Sequence, residues 1–373
     1  MITINFIGDV MLGRFVSERY AERPYQLVSS DLLKRLSEAD VKIANLESPI
    51  TSQCTEDSLR FAANSELLEQ FKWVDCFSLS NNHINDFGTQ GMNETIDALG
   101  AKGVSHNGLY TDEYRPYLIE QNGEKIAVLT CADMMNHEFS DDCPYNTLRV
   151  NQEGKISEQI RNYKAQGFFI ILYAHVGMLF TRFPNPVIRD FLHRMVDIGA
   201  DCVVTAHPHC LGGSEIYKEK LIVYSLGDFL MDGASFRRRK AGILTMQIDN
   251  GKIIHWSIIP VQTTDELKVS FPSEKDAKKM LAGFDWVTGQ IANHSINYTS
   301  FYKLQYKKEL LAHSWSTLQF EYHRRGLKGL LRTLSKRISA VRSMARRVFT
   351  DRSKMSYDAD AVSEKNSSLN DIR

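Results

Sequence analysis

The sequence predicts an α/β fold followed by a helical extension, and three observations carry this. Short apolar runs alternate with helically spaced ones from residue 1 to about residue 260. Asp249-Asn250-Gly251, between two apolar runs, is a strong hairpin signal. Beyond Pro260 the strand-like runs fade, and from about residue 277 to about residue 349 the pattern is helical.

In chain order, residues 3–7 read as a strand, 31–36 as part of a helix, and 41–44 and 76–79 as strands. Between residues 89 and 101, Met92, Ile96 and Leu99 recur at helical spacing. Residues 126–131 and 168–173, rich in Ile, Val and Phe, read as strands. Residues 186–198 read as a helix, with Pro186 suited to the first turn. Residues 202–205, 221–224, 243–248 and 253–259 are strand-like. The expected organisation is a domain over 1–262, a helical extension with a basic amphipathic helix over 263–349, and a polar, disordered tail over 350–373.

The bulk composition excludes several classes. The 373 residues are 43% hydrophobic and 24% charged, as in ordinary globular proteins. Lys plus Arg and Asp plus Glu both number 45, so the average charge points to neither nucleic acid nor membrane. Six scattered cysteines, none in a CxxC pair, argue against a disulfide framework and for a reducing compartment. The start, MITINFIGDVMLGR, lacks the features of a signal peptide. The most apolar stretch, 168–180, is too short to span a bilayer and contains His175. A cytoplasmic location is the expectation, with the inner membrane face as a peripheral station.

Residues able to bind metal stand at predicted strand ends in five short motifs. These are Gly8-Asp9, Asn45-Leu46-Glu47, Asn81-Asn82-His83, Ala174-His175 and His207-Pro208-His209. Each has a plain reading alone: a turn, a helix N-cap at Asn82, or loop and core histidines. Together they match the rule that ligands gather outside the carboxyl ends of strands in α/β sheets. Carboxylate, amide and imidazole donors suit Mn, Zn or Fe, and a carboxylate between two ions is the usual bridge of a two-metal site.

The same residues carry a family resemblance. Gly8–Arg14, Asn45–Pro49, the run Asn81-Asn82-His83-Ile84-Asn85-Asp86-Phe87-Gly88, His207–His209 with Glu215, and Tyr224–Phe229 resemble the motifs of the CapA family of poly-γ-glutamate capsule-synthesis proteins. The resemblance covers roughly residues 3–262. It implies a calcineurin-like metallophosphoesterase fold, a four-layer α-β-β-α sandwich, with Asp9, Glu47, Asn82, His175, His207 and His209 as ligands of divalent ions, two in number. His83 would be a proton donor or oxyanion contact. Arg14 is either a contact for an anionic substrate group or one half of a salt bridge. Asp86 either orients His83 or serves as a helix-start carboxylate. Three departures stand out: Leu179 where the family has Glu, Asp228 where it has Asn, and Met11 where ordinary metallophosphoesterases have His.

Near the C-terminus, Leu327, Leu331, Leu334, Ile338, Val341, Ala345 and Val348 form a heptad-like seam beside nine basic residues between 324 and 347. Packing on the body or self-association into a homo-oligomer is the first reading, and an anionic membrane surface with its polymer-synthesis machinery the second. Nucleic acid is not expected, since aromatic interleaving is absent. The function implied is a metal-dependent hydrolase or phosphatase-type protein of capsule or surface-polymer synthesis. It would act on an anionic polymer or its precursor, at a phosphoester or a γ-glutamyl amide. The alternative is a non-catalytic polymer-binding scaffold on the same fold, which Leu179 and Met11 favour.

Overall fold

The computed structural model describes residues 1–53, 60–133, 135–233 and 235–350, without the side chains of 324, 325, 329, 330 and 332–350. The chain starts with β1 (Ile2–Val10), α1 (Arg14–Glu22), α2 (Ser30–Leu36), β2 (Val41–Leu46), β3 (Cys76–Ser78) and α3 (Gly88–Ala101). It continues with β4 (Ser105–Asn107), β5 (Tyr117–Gln121), β6 (Glu124–Ala132), α4 (Glu153–Ala165), β7 (Phe169–His175) and α5 (Pro186–Ile198). Then come β8 (Cys202–Ala206), β9 (Ser214–Tyr217), β10 (Lys220–Val223), β11 (Asp228–Leu230), β12 (Lys240–Asp249), β13 (Lys252–Thr263) and β14 (Val269–Ser270). Two helices follow, α6 (Glu274–Asn293) and α7 (Tyr298–Thr350).

These strands build two sheets. The first runs β14-β13-β12-β1-β2-β3-β4, with β11 also pairing β1. The second runs β5-β6-β7-β8-β10-β9. In the first, β1 to β4 are mutually parallel, and the β12–β13 hairpin predicted at Asp249-Asn250-Gly251 joins antiparallel. In the second, β6, β7, β8 and β10 are parallel.

Period-2 alternation assigns the layers. On β1, Ile2, Ile4 and Phe6 share a core with Phe169, Ile171 and Tyr173 of β7, which is the seam between the sheets. The alternate β7 residues Ile170, Leu172 and Ala174 pack with α4 and α5 through Ile156, Ile160, Phe191 and Leu192. On the far side of the first sheet, Leu32, Leu36, Met92 and Leu99 of α2 and α3 cover Ile7 and Val10. The result is the four-layer α-β-β-α sandwich of the calcineurin-like class.

The five motifs divide between the two sheets. Three lie on β1, β2 and β3 of the first sheet and two on β7 and β8 of the second, with β4, β5 and β6 between them in the chain. The sheets face each other, so both sets meet at the same rim. Tyr173 ties them there, its hydroxyl donating to the Ile7 carbonyl at 2.7 Å.

The described residues divide into two units, Met1–Ser316 and a second that begins at Thr317. The first includes α6, whose Met280 and Phe284 enter the seam between the sheets while Val287 and Ile291 join the core beside α5. Within α7, Gly326 takes φ +59°, ψ −152° and interrupts the helical backbone, a conformation open to glycine. Leu327 and Leu331 are exposed; the later seam residues and the predicted tail from residue 351 lie outside the described side chains and residues. Cys76, Cys131, Cys143, Cys202 and Cys210 are free thiols, and Cys54 lies outside the described residues. Among the described residues no helix is long and apolar enough to cross a membrane.

Candidate metal centre

Asp9 lies inside β1 rather than beyond it, at a register shift where β1 pairs β2 on one side and β11 on the other. Gly8 makes this possible. A Cβ there would stand 2.0 Å from the Gly227 carbonyl oxygen, so only glycine lets β11 approach. Asp9 N–H then donates to Gly227 O at 3.1 Å, and Asp9 and Asp228 become register partners.

Two groups of donors result. Asp9, His209 and Asp228 form one, and Glu47, His175 and His207 the other, the ligand atoms in each lying within 4.8 Å of one another. In the first, His209 Nδ1 is 2.7 Å from Asp228 Oδ1 and 3.8 Å from Asp9 Oδ2. In the second, His207 Nδ1 is 3.0 Å from His175 Nε2, and Asn82 Oδ1 is 2.8 Å from the same nitrogen. Glu47 lies between them, with Oε1 3.7 Å from His175 Nε2 and 3.7 Å from His209 Nε2. The structure therefore gathers all six residues expected as ligands, and adds Asp228.

The donor set fits divalent cations on its own chemistry. Both Glu47 carboxylate oxygens are buried and lack any hydrogen-bond partner among the described residues, a costly state for a carboxylate. Glu47, Asp9 and Asp228 are all fully buried. Burial, then Asp9 and Asp228, push the Glu47 carboxyl well above the ordinary carboxylate range. Burial chiefly raises Asp9 to about 6. Asp228 is held below its ordinary value because His209 and Arg238 outweigh its burial. Burial, reinforced by neighbouring imidazoles, drives His175 and His207 well below the usual histidine range, which favours the neutral rings that coordinate a metal.

The supports are specific. Asn45 Nδ2 donates to Asp9 Oδ1 at 2.8 Å, and Asn81 Nδ2 donates to Asn45 Oδ1 at 3.2 Å. Asn136 Oδ1 accepts from Asn82 Nδ2 at 3.0 Å, fixing which way that amide points. His207 and His209 both adopt left-handed backbone, φ +98° and +56°, a strained conformation for residues with a Cβ that tends to be kept at functional sites. His207 N–H donates to Asp9 Oδ2 at 3.1 Å.

His83 stands at the edge of this group. Its Nδ1 is 2.8 Å from Asp86 Oδ2, which also accepts the Phe61 N–H at 2.8 Å, and its ring stacks on Phe61 at 3.7 Å. Asp86 is thus bonded to the His83 ring two residues before α3 begins. Arg14 pairs with Asp232 and lies over the Phe61 ring at 4.4 Å. Met11, at the position of the metallophosphoesterase histidine, is buried in the core under the first sheet. Leu179 is partly exposed. Asp228, Arg238 and Asn136 went unpredicted. Asp228 opens a three-residue strand instead of closing one, and its one sequence signal was the departure from Asn. Arg238, which donates from Nε to Asp228 Oδ2 at 3.2 Å, lies in an undistinguished basic run.

Fold and donor set together define a calcineurin-like metallophosphoesterase scaffold with two clusters of metal-ligating residues. The chain belongs to the bacterial capsule synthesis protein PGA_cap family, whose model matches residues 3–233. It is 26% identical over 270 residues to the capsule biosynthesis protein CapA of Bacillus anthracis, covering 68% of this chain and 66% of that protein. It is 25% identical over 292 residues to the PGA biosynthesis protein CapA of Bacillus subtilis (strain 168), covering 75% and 76%. Among solved structures, the sulfate thiohydrolase SoxB of Thermus thermophilus aligns with a TM-score of 0.41 and 15% identity, over 71% of this chain and 45% of that one.

Proposed function

We propose that the protein is a metal-dependent hydrolase or transferase of capsule or surface-polymer synthesis, acting on a poly-γ-glutamate-like chain or its precursor. One observation carries the metal reading: a fully buried Glu47 carboxylate without hydrogen-bond partners among the described residues, 3.7 Å from an imidazole nitrogen of each donor cluster. Asp9, His209 and Asp228 would hold one divalent ion, Asn82, His175 and His207 a second, and Glu47 both; Mn, Zn or Fe suits these donors. Two such ions supply Lewis acidity and offset negative charge growing on a phosphoryl or carbonyl oxygen.

The chain's own groups do the rest. Asp86, bonded to Nδ1 of His83, orients the ring, and Nε2, 3.2 Å from Asn136 Nδ2, is the atom that would exchange a proton with a leaving group. Phe61 holds that ring flat by stacking. Arg14, pinned by Asp232, and Arg238, pinned by Asp228, add positive charge acting on Glu47, which favours an anionic substrate. The relatives named for capsule and PGA biosynthesis support the polymer setting. The proposal includes work at the cytoplasmic membrane face, where the basic residues 324–347 meet anionic lipid.

A second reading, a polymer-binding scaffold, draws on Leu179, an exposed apolar residue where the family has Glu. Hydrolysis assays on bis-p-nitrophenyl phosphate and γ-glutamyl-p-nitroanilide with Mn, Zn or Fe decide between them. Turnover of either, abolished by a chelator and by Glu47→Gln, is the expected result. Full metal loading without turnover of either substrate would favour the scaffold.

A further inference from the structure

A second concavity, of about 190 Å³, lies among Arg182, Arg237, Lys240 and Lys279 above a floor that includes Leu211 and Phe284. Its two arginines are fixed. The buried Glu309 accepts from Arg182 Nε at 3.2 Å and Nη2 at 2.9 Å, and it also pairs with Arg237. Arg237 donates a further bond from Nη1 to the Glu309 carbonyl at 3.0 Å. Nη1 of Arg182 is left toward the cavity, 3.9 Å from where a Cβ of Gly283 would stand.

The lysines differ. Neither Lys240 nor Lys279 has a side-chain hydrogen bond or ion pair with a described residue, although the Asp276 carboxylate, held by Ser273, feels both charges. Four cations against the carboxylates of Glu309 and Asp276 leave two positive charges around a cavity with an apolar floor. Ammonium groups without a described partner are stabilised by an oxyanion, and together with fixed guanidinium groups they suit carboxylate or phosphate. The apolar floor suits a short aliphatic body. The neighbouring residue Arg238 turns the other way, to Asp228, so adjacent arginines serve two separate places.

We propose that this cavity is a second ligand site, for a small oxyanion carrying two negative charges, separate from the metal centre. The proposal rests on no part of the metal-dependent reading. Isothermal titration of the full chain with glutarate and with inorganic phosphate tests it, in the wild type, the double variant Lys240→Gln/Lys279→Gln, Gly283→Leu and His207→Ala. Saturable binding of at least one probe is expected in the wild type and in His207→Ala. The double lysine variant should bind about tenfold more weakly, as expected for lost charge-assisted hydrogen bonds. Gly283→Leu, whose side chain grows into the cavity, should abolish binding. Which probe binds tells a dicarboxylate site from a phosphate site. No saturable binding of either probe, or undiminished binding in the double lysine variant, would overturn the proposal. Matching thermal melts of that variant and the wild type exclude misfolding as the cause, Lys279 being exposed and Lys240 half-buried.

Discussion

At the scale of single residues, the centre sets three buried carboxyls, Asp9, Glu47 and Asp228, beside a cluster of imidazoles. Burial raises the Asp9 carboxyl to about 6 and the Glu47 carboxyl well above its ordinary range, while it pushes His175 and His207 well below theirs and so favours the neutral rings. The sequence alone points to histidine titration near pH 6 to 7 as the control on metal affinity. The structure moves that control to the carboxyls, because an ion must displace their protons. Affinity should therefore rise with pH through about 6, where Asp9 ionises, and the upward shift of Glu47 acts in the same direction. Competition titrations with a fluorescent chelator between pH 5 and 8 check this; a flat profile would refute the assignment. His207→Ala and His209→Ala should each lose bound metal with an unchanged circular dichroism spectrum, since both lie in a loop. His83→Gln should keep its metal and lose turnover by about a hundred- to ten-thousand-fold, the usual range for a positioned acid. Loss of metal in that variant would make His83 a ligand instead.

Elements explain which parts of this were legible beforehand. The helix α5 was, over Pro186–Ile198, because Pro186 starts it and Asn185 caps it, its Oδ1 accepting the Ile188 N–H at 2.8 Å. The longer strands were legible from their apolar runs. Of the three-residue strands, β3 was legible over 76–79, whereas β4 is Ser-His-Asn and β11, which carries Asp228, shows no period. The assignment of strands to two sheets was also hidden, because a parallel strand buried on both faces reads the same in either. Glu215 shows a motif residue with a different use. Its carboxylate binds Arg189 at 2.6 and 3.1 Å, His193 at 3.1 Å and the Tyr224 hydroxyl at 2.6 Å, tying β9 to α5. Burial works against its charge, but these partners prevail and lower it to about 2. That stability is present above the ordinary Glu value and is lost as pH falls toward about 2. Glu215→Ala leaves Arg189 buried without its partner and should cost about 3 kcal/mol in a urea melt at pH 7. A cost below about 1 kcal/mol would show that the network is dispensable.

At the scale of the whole molecule, two sheets bring five strand ends to one rim, and neither sheet alone holds a complete donor set. The first contributes Asp9, Glu47, Asn82 and Asp228, the second His175, His207 and His209. The membrane proposal is tested on the full chain by co-sedimentation with vesicles. Binding to phosphatidylglycerol vesicles that weakens with salt is expected, with none to phosphatidylcholine; equal or absent binding to both would remove it. The central claim is that Glu47 joins two metal sites, and metal content measured by mass spectrometry after reconstitution with Mn, Zn or Fe tests it most directly. The account predicts about two ions per wild-type chain, and about one or fewer in Glu47→Gln with its fold unchanged. Less than about one ion in the wild type, or undiminished metal in Glu47→Gln, would contradict it.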